Sequence, residues 1–315
     1  MSVVLAREEL ARIAPGRDSA VTIGKFDGVH RGHQHLIGRF IELARAQDLA
    51  PVVIVLYPNP ITVLRPGTAV TYLTSLEERL ELLKRLGPDS VGILPFTSEM
   101  AQLSARDFAS LLVDELSMRL LYVGPDFALG RNREGSAGVL RKIGGDLGFR
   151  VETAELLTQD GEKVGSSAVR GALAAGDVEE VARLLGRPFS LEGPVVSGDR
   201  RGATLGFPTA NIAIGRDRAI PAFGIYVSRA FVRETAHHSC TSIGVRPTFD
   251  GGPRPTVETF ILDFDSDIYG EDVRIELLHR LRDELKFESA DELIAQMRRD
   301  IEDTRGYFAR EEAGG

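Results

Sequence analysis

Cysteine is almost missing: Cys240 is the only one in 315 residues. A lone thiol excludes an intrachain disulfide and fits a reducing compartment, so the cytoplasm is the expected location. Long apolar runs are missing too. No segment approaches the roughly 18 apolar residues of a membrane span, and the N-terminus carries neither a long apolar run nor a cleavage signature. Basic charge is in deficit, with 38 Lys and Arg against 46 Asp and Glu and a formal net charge of −8. Such a chain is not built to coat nucleic acid or an anionic membrane, so an anionic substrate needs a local basic or backbone-amide site. Gly-Lys-Ser/Thr follows no strand; Gly24-Lys25 runs on to Phe26, and its turn is neither a Walker loop nor a Gly-x-Gly-x-x-Gly.

What is present is ordinary globular composition, 43% hydrophobic and 27% charged, over a length that suggests about two domains. Ala20–Gly24 is a short apolar run ending in glycine, followed by Lys25-Phe26-Asp27-Gly28-Val29-His30-Arg31-Gly32-His33 and then by Leu36, Ile37, Phe40, Ile41 and Ala44 at helical spacing. The unit reads as strand, Gly-rich turn, helix, and such a turn offers an anion site at the helix N-terminus. His30 and His33 flank it and can donate to a phosphoryl oxygen as charge builds. Further strands are expected at Ala50–Tyr57, Ser90–Leu94, Leu120–Val123 and Phe149–Leu157, with helices from the Thr74-Ser75-Leu76-Glu77 capping box to Leu86 and from Ala105 to about Leu116. The alternation implies a parallel α/β sheet, whose ligands bind at the carboxyl ends of the strands. The turns at Tyr57-Pro58-Asn59-Pro60 and Gly124–Arg133 fall at that edge. Ser166-Ser167-Ala168-Val169-Arg170 opens a helix to Ala175, its serines serving either as caps or as triphosphate ligands beside Arg170, and a second short helix runs to Leu185.

Gly186-Arg187-Pro188 is the expected boundary, giving domains 1–186 and 187–315. Beyond it, short β-branched runs (Leu191–Val196, Gly224–Val232, Ser239–Gly244, Thr256–Asp263, Val273–Leu278) predict an all-β barrel or sandwich, closed by a helix that opens at Ser289 and carries Leu293, Ile294, Met297 and Ile301 on one face. Within this half, Ser197–Ile212 holds Gly198, Gly202 and Gly206, Arg200 and Arg201, and Phe207-Pro208-Thr209-Ala210-Asn211. It reads either as a nucleotide-phosphate and Mg²⁺ loop, with Thr209 and Asn211 on the same side of an extended segment, or as a surface hairpin with turn glycines. Gly198–Thr204 is the candidate for a closing loop. Asp263, Asp265 and Asp267 alternate as in a calcium loop, but Ile268 and Arg274 stand where Gly and Glu are needed, so a solvated strand end is expected. His237, His238 and Cys240 have no partner cluster and read as structural. Glu258 lies in the apolar strand Val257–Ile261; alternation favours a solvent-facing carboxylate, and a proton-accepting role is the alternative.

These residues resemble the bacterial bifunctional riboflavin kinase/FMN adenylyltransferase (FAD synthetase) family along nearly the whole chain. Gly24–His33 looks like its His-x-Gly-His signature, Gly124–Gly130 like its nucleotide and flavin loop, and Ser166–Arg170 like its Ser-Ser-Thr-x-x-Arg motif. Gly206–Asn211 carries the kinase Pro-Thr-Ala-Asn motif unchanged, and Ser242–Phe249 and Val257–Thr259 match further kinase segments. The resemblance implies a Rossmann-like nucleotidyltransferase domain followed by a riboflavin kinase barrel, using ATP and Mg²⁺ to turn riboflavin into FMN and FMN into FAD. It implies Glu258 as the kinase base, Thr209 and Asn211 as magnesium ligands, and Gly198, Arg201, Gly206 and Pro208 around the nucleotide. It implies His30 and His33 as the adenylyl-transfer residues, with Gly24, Phe26, Asp27, Gly28, Gly32, Ser166, Ser167 and Arg170 on ATP, and Asn59, Asp126 and Phe127 on flavin. Small molecules, and neither nucleic acid nor membrane, are the expected partners.

Three positions depart from the family pattern. Asn59 replaces the His of a Pro-His-Pro segment, Asp126 stands where some members have Asn, and Ala168 replaces a hydroxyl residue. They imply a weakened rather than absent adenylyltransferase. The rivals are a kinase whose N-terminal domain is only a scaffold, and a flavin- or nucleotide-binding sensor without turnover.

Overall fold

In the computed structural model, which describes residues 2–155, 158–159, 162–198, 206–246 and 254–314, the apolar run Ser19–Gly24 is the central strand of a five-stranded parallel sheet. The chain divides into two units, Met1–Ser166 and Ser167–Gly315. The first runs α1 (Ser2–Arg12), β1 (Ser19–Gly24), α2 (Arg31–Ala46), β2 (Ala50–Tyr57), α3 (Pro60–Leu64), α4 (Leu76–Arg85), β3 (Ser90–Pro95), α5 (Ala105–Leu116), β4 (Met118–Val123), β5 (Ala128–Leu129), β6 (Gly135–Ser136), α6 (Ala137–Leu147), β7 (Arg150–Thr153), β8 (Thr158–Gln159) and β9 (Glu162–Lys163).

The sheet order is β3-β2-β1-β4-β7. Successive strands step outward one way from β1 and then the other way through β4, so β1 lies at the topological switch where such sheets bind ligands. The strands lack polar alternation because both faces are covered. Val21, Ile23, Val52 and Ile54 pack with Leu10, Phe108, Leu112 and Leu140 on one side. Ala20, Val53, Val55 and Leu120 pack with Ile37, Phe40, Ala44 and Leu83 on the other. Emptying one such position, as in Leu83→Ala, costs about 2–5 kcal/mol.

Two expectations for this unit are corrected. The strand predicted from Phe149 to Leu157 pairs with β4 only over Arg150–Thr153; β4 ends at Val123, and Pro125 has no N–H to carry the ladder on. Leu156 and Leu157 lie outside the described residues. The cap of α4 is Ser75, whose hydroxyl accepts from Glu78 N at 3.0 Å, rather than Thr74. Thr74 is turned inward, as described below.

The second unit begins with α7 (Ser166–Ala175) and α8 (Val178–Leu185) and continues through β10 (Phe189–Val196), β11 (Ala210–Ile212), β12 (Gly224–Val232), β13 (Thr235–Arg246), β14 (Arg254–Ile261), β15 (Asp272–Arg282) and α9 (Ala290–Gly314). The division at Ser166 and Ser167 places α7 and α8 with the strands that follow them, ahead of the boundary expected at Gly186–Pro188. Leu173 O accepts from Ala222 N at 3.0 Å, and α8 packs against β10 and β15.

The strands form a closed barrel in the order β10-β11-β14-β13-β12-β15. Closure removes sheet edges, and residues alternate between the interior and the outer face. Leu191, Tyr226, Ala230, Ile243, Val257 and Ile275 are buried. Four buried hydroxyls satisfy one another: Ser228 Oγ meets Ser239 Oγ at 2.8 Å and Thr241 Oγ1 at 2.7 Å, and Thr241 meets Thr259 at 2.9 Å. Outside the barrel, α9 lies against β13 and β12 and buries Asp300, Thr304 and Phe308. Its N-terminus is capped as predicted, Ser289 Oγ accepting from Glu292 N at 3.2 Å.

Candidate active sites

The first site is built on the turn between β1 and α2. The Phe26 ring packs closely over Gly24, where a Cβ would lie 3.0 Å from it and the ring would have to give by a few tenths of an ångström. Phe26 (φ 47°), Gly28 (φ 80°) and Val29 (φ 41°) all take left-handed backbone, which is strained for Phe and more so for a β-branched residue. His30 caps α2, its Nδ1 accepting from His33 N at 3.3 Å. That leaves the Nε2 of a neutral His30 as the donor. The His30 and His33 rings stack with centroids 3.7 Å apart, and Phe26 meets His33 edge-on at 5.3 Å. Burial, reinforced by His30, Arg79 and Lys25, holds the His33 pKa well below its ordinary 6.5, so this ring is neutral at physiological pH. Its Nδ1 is buried without a hydrogen-bond partner among the described residues. A Cβ at Gly32 would lie 2.5 Å from the backbone oxygen of Val164, so glycine alone fits there.

Other predicted residues take defined places. The Asp27 carboxylate is turned into the protein, where it accepts from Leu73 N at 3.0 Å and Arg79 Nη2 at 2.9 Å. Ser166 Oγ donates to Asp27 O at 3.2 Å. Asn59 follows a cis Tyr57–Pro58 bond and caps α3, accepting from Ile61 N at 3.2 Å, while its own N–H donates to the Tyr72 hydroxyl at 3.0 Å. Asn is a favoured cap before a Pro at the first helical position, which gives this departure a structural reason. Asp126 is exposed and its carbonyl accepts from Arg133 at 2.8 Å, and Phe127 packs on the α5 and α6 side of the core. Ser167 and Arg170 lie on α7, in the second unit.

The second site is built on the barrel. In register, Asn211 on β11 faces Glu258 on β14, which faces Ser242 on β13, so the three share one face. That face is the outer one, because Val257 and Thr259 are buried on either side of Glu258. It is not bare: α9 roofs it, and Glu258, Ser242, Phe260 and Cys240 line a cavity of about 330 Å³ with Leu293, Met297 and Ile301 of the helix. Alternation placed Glu258 correctly on the outer face, but the covering helix makes that face half-buried rather than solvated. A second cavity, of about 290 Å³, is lined by Pro208, Thr209, Ala210 and the segment Phe264–Tyr269. Thr209 lines both cavities. Gly198 lies directly beneath Asn211, since a Cβ there would fall 2.3 Å from its Nδ2. Gly206 has φ 87°. Arg201 lies outside the described residues.

Models of two families match, FAD synthetase over residues 13–168 and riboflavin kinase over residues 185–308. The bifunctional riboflavin kinase/FMN adenylyltransferase of Listeria monocytogenes is 36% identical over 294 residues, covering 93% of each chain. That of Escherichia coli K12 is 38% identical over 297 residues, covering 94% of each. The chain belongs to this family. A crystal structure described as a macrolide-efflux protein from Streptococcus pneumoniae is also similar, 33% identical with a TM-score of 0.86, covering 94% of this chain and 97% of that one. No helix among the described residues is long and apolar enough to cross a membrane.

Both units carry residues beside the candidate sites that sequence reasoning did not single out for a role. Arg79, 1% exposed, lies under the first turn with Thr74 and Tyr72. The signal was present: Arg79 stands three residues after Leu76 and four before Leu83, on the buried stripe of α4. Ser242 stood only as the start of a segment resembling the kinase, and Phe260 and Arg282 were not singled out, because one strand read alone does not reveal its neighbours in register. The residues set aside as decoys have plain roles. His238 stacks on Phe308 at 3.7 Å, His237 meets Phe264 edge-on at 5.0 Å, and Asp263 pairs with Arg305 at 2.7 Å. Asp265 and Asp267, exposed, line the smaller cavity.

Proposed function

We propose that this chain makes FMN from riboflavin and ATP in its second unit, and FAD from FMN and a second ATP in its first. The observation that carries the kinase assignment is the shared wall: Thr209 borders both cavities, and Asn211 and Glu258 stand in one row beside it. On this reading the flavin occupies the larger cavity under α9, and the nucleotide occupies the smaller one beside Pro208 and Ala210. Glu258 accepts the proton of the ribityl 5′-hydroxyl, the freed oxygen forms its bond to the γ-phosphorus of ATP, and ADP leaves.

The residues fit a magnesium ion held partly by substrate. Thr209 and Asn211 offer neutral oxygens, and no group of three His, Cys, Asp or Glu suited to a metal occurs among the described residues. Mg²⁺ held by one or two protein oxygens and by phosphates is the usual arrangement in such sites. Asn211, held over Gly198, and Thr209 would be its protein ligands, and bound there it would neutralise charge on the transferring phosphoryl group.

In the first unit the FMN phosphate itself is the nucleophile; its oxygen forms a bond to the α-phosphorus of ATP, and pyrophosphate leaves. The protein aligns the two anions and stabilises charge through His30, neutral His33 and the amides opening α2. Gly24, Phe26, Gly28, Gly32 and Ser166 are assigned to this nucleotide, and Asn59, Asp126 and Phe127 to the flavin. With its net charge of −8 and one buried thiol, the chain fits cytoplasmic work on small molecules rather than nucleic acid.

The deciding test is product analysis: incubate the chain with riboflavin, ATP and Mg²⁺ and separate riboflavin, FMN and FAD over time. FMN followed by FAD is expected. FMN alone reduces the first unit to a scaffold, and bound riboflavin with no FMN makes the protein a sensor.

A further inference from the structure

We propose that Arg79 is the positioning residue for adenylyl transfer, a buried hub that ties the turns after β1 and β2 into one rigid surface; this rests on the adenylyltransferase reading of the first unit. Its guanidinium fork is committed to backbone and anchor groups. Nη1 donates to Lys25 O at 3.0 Å, Nη2 to Asp27 Oδ1 at 2.9 Å and to Thr74 O at 3.3 Å, and Nε to Thr74 Oγ1 at 3.3 Å. Thr74 Oγ1 in turn accepts from Gly28 N at 3.2 Å, and Asp27 accepts from Leu73 N at 3.0 Å. Lys25, Asp27 and Gly28 are three of the four residues immediately before Val29 and His30. The guanidinium carbon also sits 5.2 Å from the Tyr72 ring centroid, and the Tyr72 hydroxyl accepts from Asn59 N. The Arg79 side chain therefore holds the turn after β1 directly and is linked to the turn after β2 through Tyr72, and the substrates are assigned to these two turns.

Stability alone does not call for this arrangement. Apolar residues of similar volume often replace a buried ion pair without loss. They cannot, however, donate to the carbonyl of Lys25 or hold Asp27 against Leu73. Backbone at Phe26 and Val29 is strained, and such conformations persist only where the surroundings over-determine them. Arg79 and its partners supply that constraint just ahead of the two histidines.

The arrangement has an electrostatic consequence that a merely structural residue would lack. The charged or titratable groups facing His33 are His30 at the start of α2, Lys25 in the turn and Arg79 from α4, while the nearby Asp27 carboxylate is paired with Arg79. Removing the Arg79 cation takes away one of the charges that hold His33 neutral and leaves Asp27 unpaired. Both changes raise the pH at which His33 protonates.

The test uses the full chain with Arg79→Met, Arg79→Lys and Thr74→Val, measuring FMN adenylylation and riboflavin phosphorylation in each preparation. For Arg79→Met, kcat for FAD formation should fall about 100-fold, as for a misplaced reacting group, with phosphorylation unchanged. Its acid limb in the pH profile should move upward. Arg79→Lys keeps the cation without the fork, so it should keep the wild-type acid limb while losing about tenfold in kcat. Thr74→Val should lose kcat without moving the limb. If the wild type forms FAD and Arg79→Met stays within about threefold of it, the positioning role is wrong and the adenylyltransferase reading stands. If the wild type forms none, both are wrong. Should circular dichroism show Arg79→Met unfolded, Arg79→Lys decides: wild-type kcat overturns the proposal, and a lowered kcat on an unmoved acid limb supports it.

Discussion

The two units solve the same problem, holding ATP against a flavin, with different materials. The first uses backbone: a left-handed turn at a sheet switch point, a helix N-terminus, and a buried Asp27–Arg79 pair that fixes the turn from below. The second uses side chains in a row across three barrel strands, Asn211, Glu258 and Ser242, with a later helix as the roof. A backbone site is rigid and intolerant of added atoms. A side-chain row keeps its fold when one member changes but loses the chemistry that member supplied.

The largest expected effect follows from that contrast. On the proposed assignment of Glu258 as the base, Glu258→Gln keeps shape and removes it, so riboflavin phosphorylation should fall about 10²–10⁴-fold while FAD formation from supplied FMN is unchanged. Chromatography with either riboflavin or FMN as the starting flavin reads both rates in one preparation. Equal loss of the two would break the division of labour between the units. The counterpart in the backbone site is Gly32→Ala. The new methyl would lie 2.5 Å from the Val164 carbonyl, which as backbone has little freedom to retreat. FAD formation should drop about 100-fold with phosphorylation intact.

The same contrast explains what the sequence could reveal. The β1 turn was legible because its determinants are contiguous: a strand buried on both faces, a run of closely spaced glycines of which Gly28 takes positive φ, and histidines at the helix start. The row through Glu258 was only half legible. Its alternation correctly sent Glu258 to the outer face, yet α9, the helix covering that face, comes far later in the chain. Nothing local to Val257–Ile261 announces it. Likewise β11, three residues long, is too short to show a period, and it is the barrel pairing with β14 that makes Asn211 a neighbour of Glu258. Arg79 was hidden by residue type, since a charged residue in Leu-Glu-Glu-Arg-Leu reads as surface unless its place on the apolar stripe is weighed above its charge.

A smaller effect sharpens the picture of the roof. Met297 of α9 lines the larger cavity with Leu293 and Ile301. If the flavin occupies this cavity as proposed, Met297→Ala removes apolar contact made equally in the ground and transition states, so KM for riboflavin should rise about tenfold with kcat nearly unchanged. A fall in kcat at constant KM would instead mean that α9 positions the reacting hydroxyl.

The smallest effects are in stability against pH, and they separate the units by sign. In the first unit His33 has a pKa well below 6.5, chiefly through burial. Below pH 6.5 the unfolded chain binds a proton that the folded ring refuses, so stability from this residue is lost as pH falls. In the second unit burial pushes the Cys240 thiol from 9.0 up to about 12. Above pH 9 the unfolded thiol releases its proton while the folded one keeps it, so stability from this residue is lost as pH rises toward 12. Thermal unfolding of wild type and of Cys240→Ala across pH 8 to about 10.5 isolates the second contribution: the variant should show the shallower alkaline decline, and parallel curves would mean that the thiol titrates alike in both states.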